Sequence, residues 1–280
     1  MEDVEHSQHL YLDLMKRCLV NMIYPQAEEA SSLPTTTGFR GKLARALSSL
    51  PSSPERYDTQ SKLLPLDTTN RMEGRIWPLA AHTMIGLKRL DNLEFCIEKV
   101  ITNEVPGDLI ETGVWRGGAT IFMRAVLKVY RVSDRYVWVA DSFNGLPPPE
   151  TGKYPCDAGD RLHEARELAV SLEQVKANFE RYGLLDAQVR FLKGWFRDTL
   201  PAAPIERLAV LRLDGDMYES TMDALVNLYP KLSEGGYVIV DDYGAIPACR
   251  QAVNDYRSAN GITEKISNID WTGIFWQKGT

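Results

Sequence analysis

Long apolar runs are missing from this chain of 280 residues: none approaches the roughly 20 consecutive residues that span a bilayer. Positive charge is also short. Against 38 Asp and Glu stand 32 Lys and Arg, for a formal net charge of -6, and no block of Lys or Arg interrupts the acidic balance. That opposes a nucleic-acid surface and leaves a small-molecule substrate open. The cysteines Cys18, Cys96, Cys156 and Cys249 form no CxxC and no zinc spacing, so a reduced, cytoplasmic protein is the simplest expectation. The N-terminus opens with Glu2, Asp3 and Glu5 and has no basic-then-apolar order of a secretory signal. Histidines are few (His6, His9, His82, His163), no pair has a metal spacing, and there is no GxSxG for a serine nucleophile. Internal repeats and low-complexity tracts are lacking as well.

What is there suits one α/β core, with roughly 80 to 100 residues to spare. Leu10, Leu14, Cys18, Leu19 and Met22 recur at helical spacing and predict a helix over residues 8–24. Residues 29–66 turn Ser-, Thr- and Pro-rich around a short basic stretch, Arg40 to Arg45. They read equally as a linker, with one short helix, or as a mobile lid over a substrate. A second helix is expected over 91–101, with Asp91 as its cap. Residues 1–90 thus form a helical extension and 91–280 the main domain.

From there strands ending in acids alternate with helices. Strands are expected at 108–111, 136–141, 189–193, 208–214 and 237–242, and helices near 118–130, 171–182, 220–232 and 247–258. Ser171 with Gln174 makes a capping box for the second of these helices. The alternation implies a mostly parallel sheet covered on both faces, and residues 266–277 add an antiparallel strand pair at its edge.

In such a sheet ligands bind beyond the carboxyl ends of the strands. Glu111, Asp141, Asp214, Asp241 and Asp242 all fall there. One acid is ordinary; five on four strands are costly unless something cationic or rich in hydroxyls meets them. Glu111-Thr-Gly113-Val-Trp-Arg-Gly117-Gly118 is not the dinucleotide GxGxxG. Its acid precedes the first glycine, which suits a positively charged ligand, although glycines placed for packing alone would leave the same trace. Asp141-Ser142-Phe143-Asn144-Gly145 follows 23 residues after Gly118. That is close to the roughly 20 expected of an acid that accepts ribose hydroxyls; the alternative is a helix cap. Asp214-Gly215-Asp216 with Asp241-Asp242 offers hard carboxylate oxygens for Mg²⁺, or else Asp216 caps the next helix and Asp242 is merely solvated.

These residues also carry a resemblance. Glu111 to Gly118, Trp138-Val-Ala-Asp-Ser-Phe-Asn-Gly-Leu-Pro147, Gly194-Trp-Phe-Arg-Asp-Thr-Leu200 and Leu213-Asp-Gly-Asp-Met-Tyr-Glu-Ser220 resemble the macrocin O-methyltransferase (TylF-like) family, over nearly the whole chain. The resemblance implies a Rossmann-like class I methyltransferase fold with a seven-stranded sheet, S-adenosylmethionine and Mg²⁺, and a deoxysugar hydroxyl of a glycosylated antibiotic as acceptor. It places Glu111 and Gly113 at the methionine end of the cofactor and Asp141 at the ribose, and counts Gly117 among the cofactor-binding residues. Ser142, Gly194 and Trp195 go near the adenine. Met84, in His82-Thr-Met-Ile-Gly86, lies over the sulfonium. Asp214, Asp241 and Asp242 become metal ligands and Asp216 the general base, with Asp214 also counted as catalytic. The stretch from 31 to 58 matches least. A homo-oligomer is compatible with the charge and the extension. A catechol-like diol, a nicotinamide-dependent oxidation, a metal-dependent hydrolysis and a non-enzymatic nucleoside-binding scaffold are the rival readings.

Overall fold

A computed structural model describes residues 2–23, 31–32, 68–78 and 80–279. The short helix and the lid expected within 29–66 lie outside the described residues, apart from a two-residue antiparallel bridge of Ser31–Ser32 with Ile76–Trp77.

Seven strands form the main sheet: β1 (Asp108–Thr112), β2 (Val137–Asp141), β3 (Val189–Lys193), β4 (Leu208–Leu213), β5 (Leu232–Val240), β6 (Ser267–Asn268) and β7 (Ile274–Gln277). Their order across the sheet is β3-β2-β1-β4-β5-β7-β6. The first five are parallel, and the β7 and β6 pairings are antiparallel, as expected for the edge. Central strands are buried on both faces and therefore read as apolar runs. The winding order reverses between the parallel neighbours β1 and β4, and this is where a crevice opens beyond the strand ends.

The helices are α1 (Glu2–Leu19), α2 (Thr68–Glu73), α3 (Leu87–Thr102), α4 (Gly118–Val129), α5 (Leu172–Arg181), α6 (Phe196–Thr199), α7 (Tyr218–Leu228) and α8 (Pro247–Ala259). Leu90, Leu93, Ile97 and Val100 of α3 pack with Ile121, Phe122 and Val126 of α4 into one core layer. Leu211, Leu225, Leu228, Val253 and Trp276 belong to the layer on the other face.

Several expected boundaries move. The helix predicted for 8–24 is α1; it starts earlier, ends at Leu19, and turns a different face inward. Leu10 and Leu14 are exposed, while Leu12, Met15 and Leu19 are buried in the α3–α4 layer. Lys16 completes that buried face because its ammonium reaches Asp91 at 2.5 Å and Glu94 at 2.8 Å. Asp91 is thus a partner of Lys16 and not a cap; α3 begins four residues earlier, after Gly86. The strand expected at 237–242 begins at Leu232, so Asp241 and Asp242 lie just past its end. The helix expected at 220–232 runs from Tyr218 to Leu228 and closes in a 3₁₀ turn, Tyr229–Lys231. Half of the capping box forms: Ser171 Oγ accepts from the Gln174 N–H at 3.2 Å, but the Gln174 amide turns to Asn178.

Candidate active site

The crevice is set by short turns at the strand ends. Gly113 ends β1 in a left-handed conformation (φ +85°), and a Cβ there would lie 1.7 Å from the Asp214 carbonyl oxygen. Only glycine lets the β1 and β4 exits run this close. Three residues with side chains also take left-handed φ around the crevice: Trp115 (+48°), Phe143 (+54°) and Asp216 (+59°). Such sparsely populated conformations concentrate at functional sites.

Two cavities meet in the crevice. The first is lined by Gly113, Asp141, Ser142, Gly194, Trp195 and Phe196, among others. The second has Glu111, Asp241 and Asp242 on its floor and Leu162, Ile246 and Trp271 on its walls. Met84, Trp115, Leu168, Asp214 and Asp216 line both. The structure therefore brings nearly every expected site residue to one place. Gly117 differs: it caps α4 at φ +85°, and a Cβ there would meet Val175 of α5 at 2.9 Å. It lines neither cavity. His82, which bonds the Tyr182 hydroxyl through Nδ1 at 2.9 Å, and His163 line neither cavity.

The acids differ in how they are held. Asp141 accepts N–H bonds from Val114 (2.8 Å) and Phe143 (2.7 Å), and its burial still raises its pKa. The Trp115 N–H and, at 3.4 Å, the Ser142 hydroxyl also donate to it. Glu111 is only 2% exposed, and one of its oxygens, Oε2, has no hydrogen-bond partner. Burial pushes its pKa up to about 8, against the lowering effect of Arg212.

Arg212 is the residue that sequence reasoning missed. It sits in β4 directly opposite Glu111 in β1, and it is 1% exposed. Its guanidinium donates to Glu111, to Asp214 at 2.7 Å and to Asp241. Arg89 of α3 adds a second guanidinium, donating to Asp241 and to Asp270 at 3.0 Å. Both Asp241 oxygens are thus engaged by arginine. A lone arginine within the apolar run Leu208 to Leu213 was the legible signal, because a buried guanidinium needs carboxylates.

Two arginines do not balance the acids. Asp214, Asp241 and Asp242 bring carboxylate oxygens within 4.8 Å of one another. Asp216 adjoins them, its N–H donating to Asp242 at 3.2 Å. Burial, then the charge of Asp241, raises Asp214 to about 6. Burial and neighbouring carboxylates hold Asp216 and Asp242 well above the usual carboxylate range.

Asp157 was missed as well. It lies fully buried in a segment of 3₁₀ turns, Pro155–Asp157, Leu162–Glu164 and Arg166–Leu168. Its carboxylate accepts the first N–H groups of α7, from Tyr218 (2.7 Å) and Glu219 (3.0 Å). The turn carrying Asp216 is thereby fixed to the wall of the second cavity.

This strand order and crevice define a class I methyltransferase, and solved structures agree. The O-methyltransferase NovP superposes with a TM-score of 0.82 at 49% identity, covering 98% of this chain and 100% of that one. The calicheamicin methyltransferase CalS11 shares the fold at a TM-score of 0.58 and 18% identity. A family model, macrocin-O-methyltransferase (TylF), matches residues 8–278. The chain belongs to this family, and it is an O-methyltransferase. A curated relative from Streptomyces olivaceus is 55% identical over 98% of this chain and 94% of its own length. It is named 8-demethyl-8-(2,3-dimethoxy-alpha-L-rhamnosyl)-tetracenomycin-C 4'-O-methyltransferase. The mycinamicin III 3''-O-methyltransferase of Micromonospora griseorubida is 49% identical over 96% of both chains. Demethyldecarbamoylnovobiocin O-methyltransferase of Streptomyces niveus is 48% identical over 99% of this chain and 96% of its own. The oxidoreductase, hydrolase and scaffold readings fall away.

Proposed function

We propose that the protein moves a methyl group from S-adenosylmethionine to a hydroxyl of a deoxysugar on a glycosylated antibiotic precursor, with Mg²⁺ beside the acceptor. The observation that carries this reading is the meeting of two cavities at Met84, Trp115, Leu168, Asp214 and Asp216. One cavity suits a nucleoside, the other is floored by carboxylates, and a group passing between them crosses two aspartates. The sugar comes from the relatives, whose names specify a rhamnosyl 4' position and a 3'' position.

The residues fit both groups. Glu111, with its unpartnered buried oxygen, and Gly113 would hold the methionine end. Asp141 would accept the ribose hydroxyls, and Ser142, Gly194 and Trp195 would border the adenine. Asp214, Asp241 and Asp242 would hold the metal, whose hard charge matches carboxylate oxygen. When bound, S-adenosylmethionine supplies an electrophilic methyl, and Mg²⁺ supplies positive charge that eases loss of the acceptor's proton.

The protein's own residues do the rest. Met84, Trp115 and Leu168 exclude water from the meeting point and set the line of attack, which is where positioning acts. Asp216 takes the proton from the acceptor hydroxyl, and its left-handed backbone, bonded to Asp242, aims it at both cavities. Residues 1–90 serve as a helical extension of the methyltransferase domain at 91–280. A cytoplasmic, homo-oligomeric enzyme completes the reading; no described helix is long and apolar enough to cross a membrane.

The test uses 8-demethyl-8-(2,3-dimethoxy-alpha-L-rhamnosyl)-tetracenomycin C with S-adenosylmethionine, followed by mass spectrometry. A singly methylated product that requires Mg²⁺ and disappears with chelator is expected. No product from this compound, mycinamicin III or demethyldecarbamoylnovobiocin would refute the acceptor class. Turnover indifferent to chelator would refute the metal.

A further inference from the structure

Trp115 has an unfavourable backbone for its size. At φ +48° it occupies the left-handed region, where glycine, asparagine or aspartate is at ease and a bulky side chain is not. Glycines stand two residues to either side, at Gly113 and Gly117, so the turn already uses them where close approach demands it. A tryptophan kept in this conformation is held by its contacts.

Those contacts run in two directions. Its backbone N–H donates to the Asp141 carboxylate, which puts Trp115 in the loop that borders the ribose position. Its indole Nε1–H donates to the Glu167 carbonyl oxygen at 2.8 Å. Glu167 lies in the 3₁₀ turn Arg166–Leu168, and Leu168 lines both cavities. The ring itself is covered by the Arg116 guanidinium at 4.1 Å, and Arg116 is anchored by a 2.8 Å bond to the Ala81 carbonyl. A stacked cation fixes the plane of an indole as well as its position.

The segment that Trp115 grips is the wall of the carboxylate-floored cavity. Its other end is fixed through Asp157 to the start of α7. The wall from Asp157 to Leu168 is therefore tied at one end to the turn of Asp216 and at the other to the loop of Asp141. Only the second tie is a single side-chain hydrogen bond, on a strained residue.

We infer that Trp115 is a positioning residue that links the nucleoside loop to the acceptor wall, so that filling the first cavity orders the second. The inference rests on the nucleoside assignment proposed above. Rigidity imposed on Val114 and Trp115 by a ligand at Asp141 passes through the indole to Glu167 and Leu168. By thermodynamic reciprocity, an acceptor held by the wall tightens the nucleoside to the same extent.

The experiment is hydrogen–deuterium exchange on the full chain with and without S-adenosylhomocysteine, alongside calorimetry. It needs no acceptor. In the wild type the product nucleoside should slow exchange of the Glu164 and Ala165 amides, which close the 3₁₀ turns, by about fivefold or more, the low end of intersite coupling. Trp115→Phe keeps a ring under Arg116 and loses the donor. At S-adenosylhomocysteine concentrations that saturate the variant by calorimetry, it should show no protection of Glu164 and Ala165. Trp115→Gly removes the indole and relieves the backbone, so it too should lose the protection at saturating S-adenosylhomocysteine. Protection retained in Trp115→Phe, or never seen in a wild type that binds the nucleoside, would overturn the link. A wild type that binds no nucleoside would overturn the reading beneath it.

Discussion

The two cavities hold their acids in different ways. At the nucleoside side, Asp141 rests on backbone N–H groups of its own turn and of the glycine loop, so its environment is complete before any ligand arrives. At the other side, Glu111, Asp214, Asp241 and Asp270 share the guanidiniums of Arg89 and Arg212, while Asp216 and Asp242 lie beside them without an ion pair to either. The first arrangement shapes a site. The second leaves negative charge in excess, and burial of that unmatched charge raises the pKa values of Glu111, Asp214, Asp216 and Asp242. A divalent cation and a sulfonium would supply the missing positive charge. One side is preorganised by hydrogen bonds; the other is poised by an electrostatic deficit.

That contrast can be broken by substitution. Asp216→Asn should lower kcat by about 10²–10⁴-fold, the usual weight of a general base, while the nucleoside affinity measured by calorimetry stays put. Turnover near wild type would remove Asp216 from that role. Arg212→Met should destabilise the ligand-free protein by about 3–5 kcal/mol in urea, the cost of stripping one partner from a buried ion pair. A loss well under that would mean the acids were already neutral without it. Asp242→Asn works the other way. It removes one of the excess charges, so the ligand-free protein should melt higher by a few degrees, roughly what 1 kcal/mol does for a chain of this size, and the Mg²⁺-dependent rise should vanish. A lower melting temperature would show that Asp242 is balanced in place.

The smallest effect is one of pH. Glu111 is raised to about 8 and Asp214 to about 6, above their unfolded values near 4. Groups shifted upward stabilise the fold below the unfolded value and lose that contribution as pH rises through 6 and then 8. Metal binding competes with these protons. Differential scanning should therefore find a larger Mg²⁺ stabilisation at about pH 8 than at about pH 6. Equal shifts at the two values would contradict the deficit.

The sequence carried the sheet because the strand-end acids and the apolar runs before them are local signals. Asp141, Asp214, Asp241 and Asp242 fall at or just past strand ends, and the edge pair within 266–277 forms β6 and β7. Glu111 instead lies inside β1, one residue before its end. What was not legible depends on partners far along the chain. The wrong face of α1 was chosen because Leu10 and Leu14 are apolar. The true face contains Lys16, which is buried only because Asp91 and Glu94 meet it from α3. The cost of five acids was legible, but not that Arg212 and Arg89 meet part of it, since Arg89 lies 152 residues from Asp241. For Gly117, motif spacing does not separate close approach to a ligand from the close approach to Val175 that the structure shows.

The most direct test of the account is a calorimetric titration with S-adenosylmethionine, with and without Mg²⁺, in the wild type and in Glu111→Ala. The account predicts saturable binding by the wild type, in both conditions, that the substitution abolishes. Binding that survives Glu111→Ala unchanged, or a wild type that does not bind at all, would contradict it.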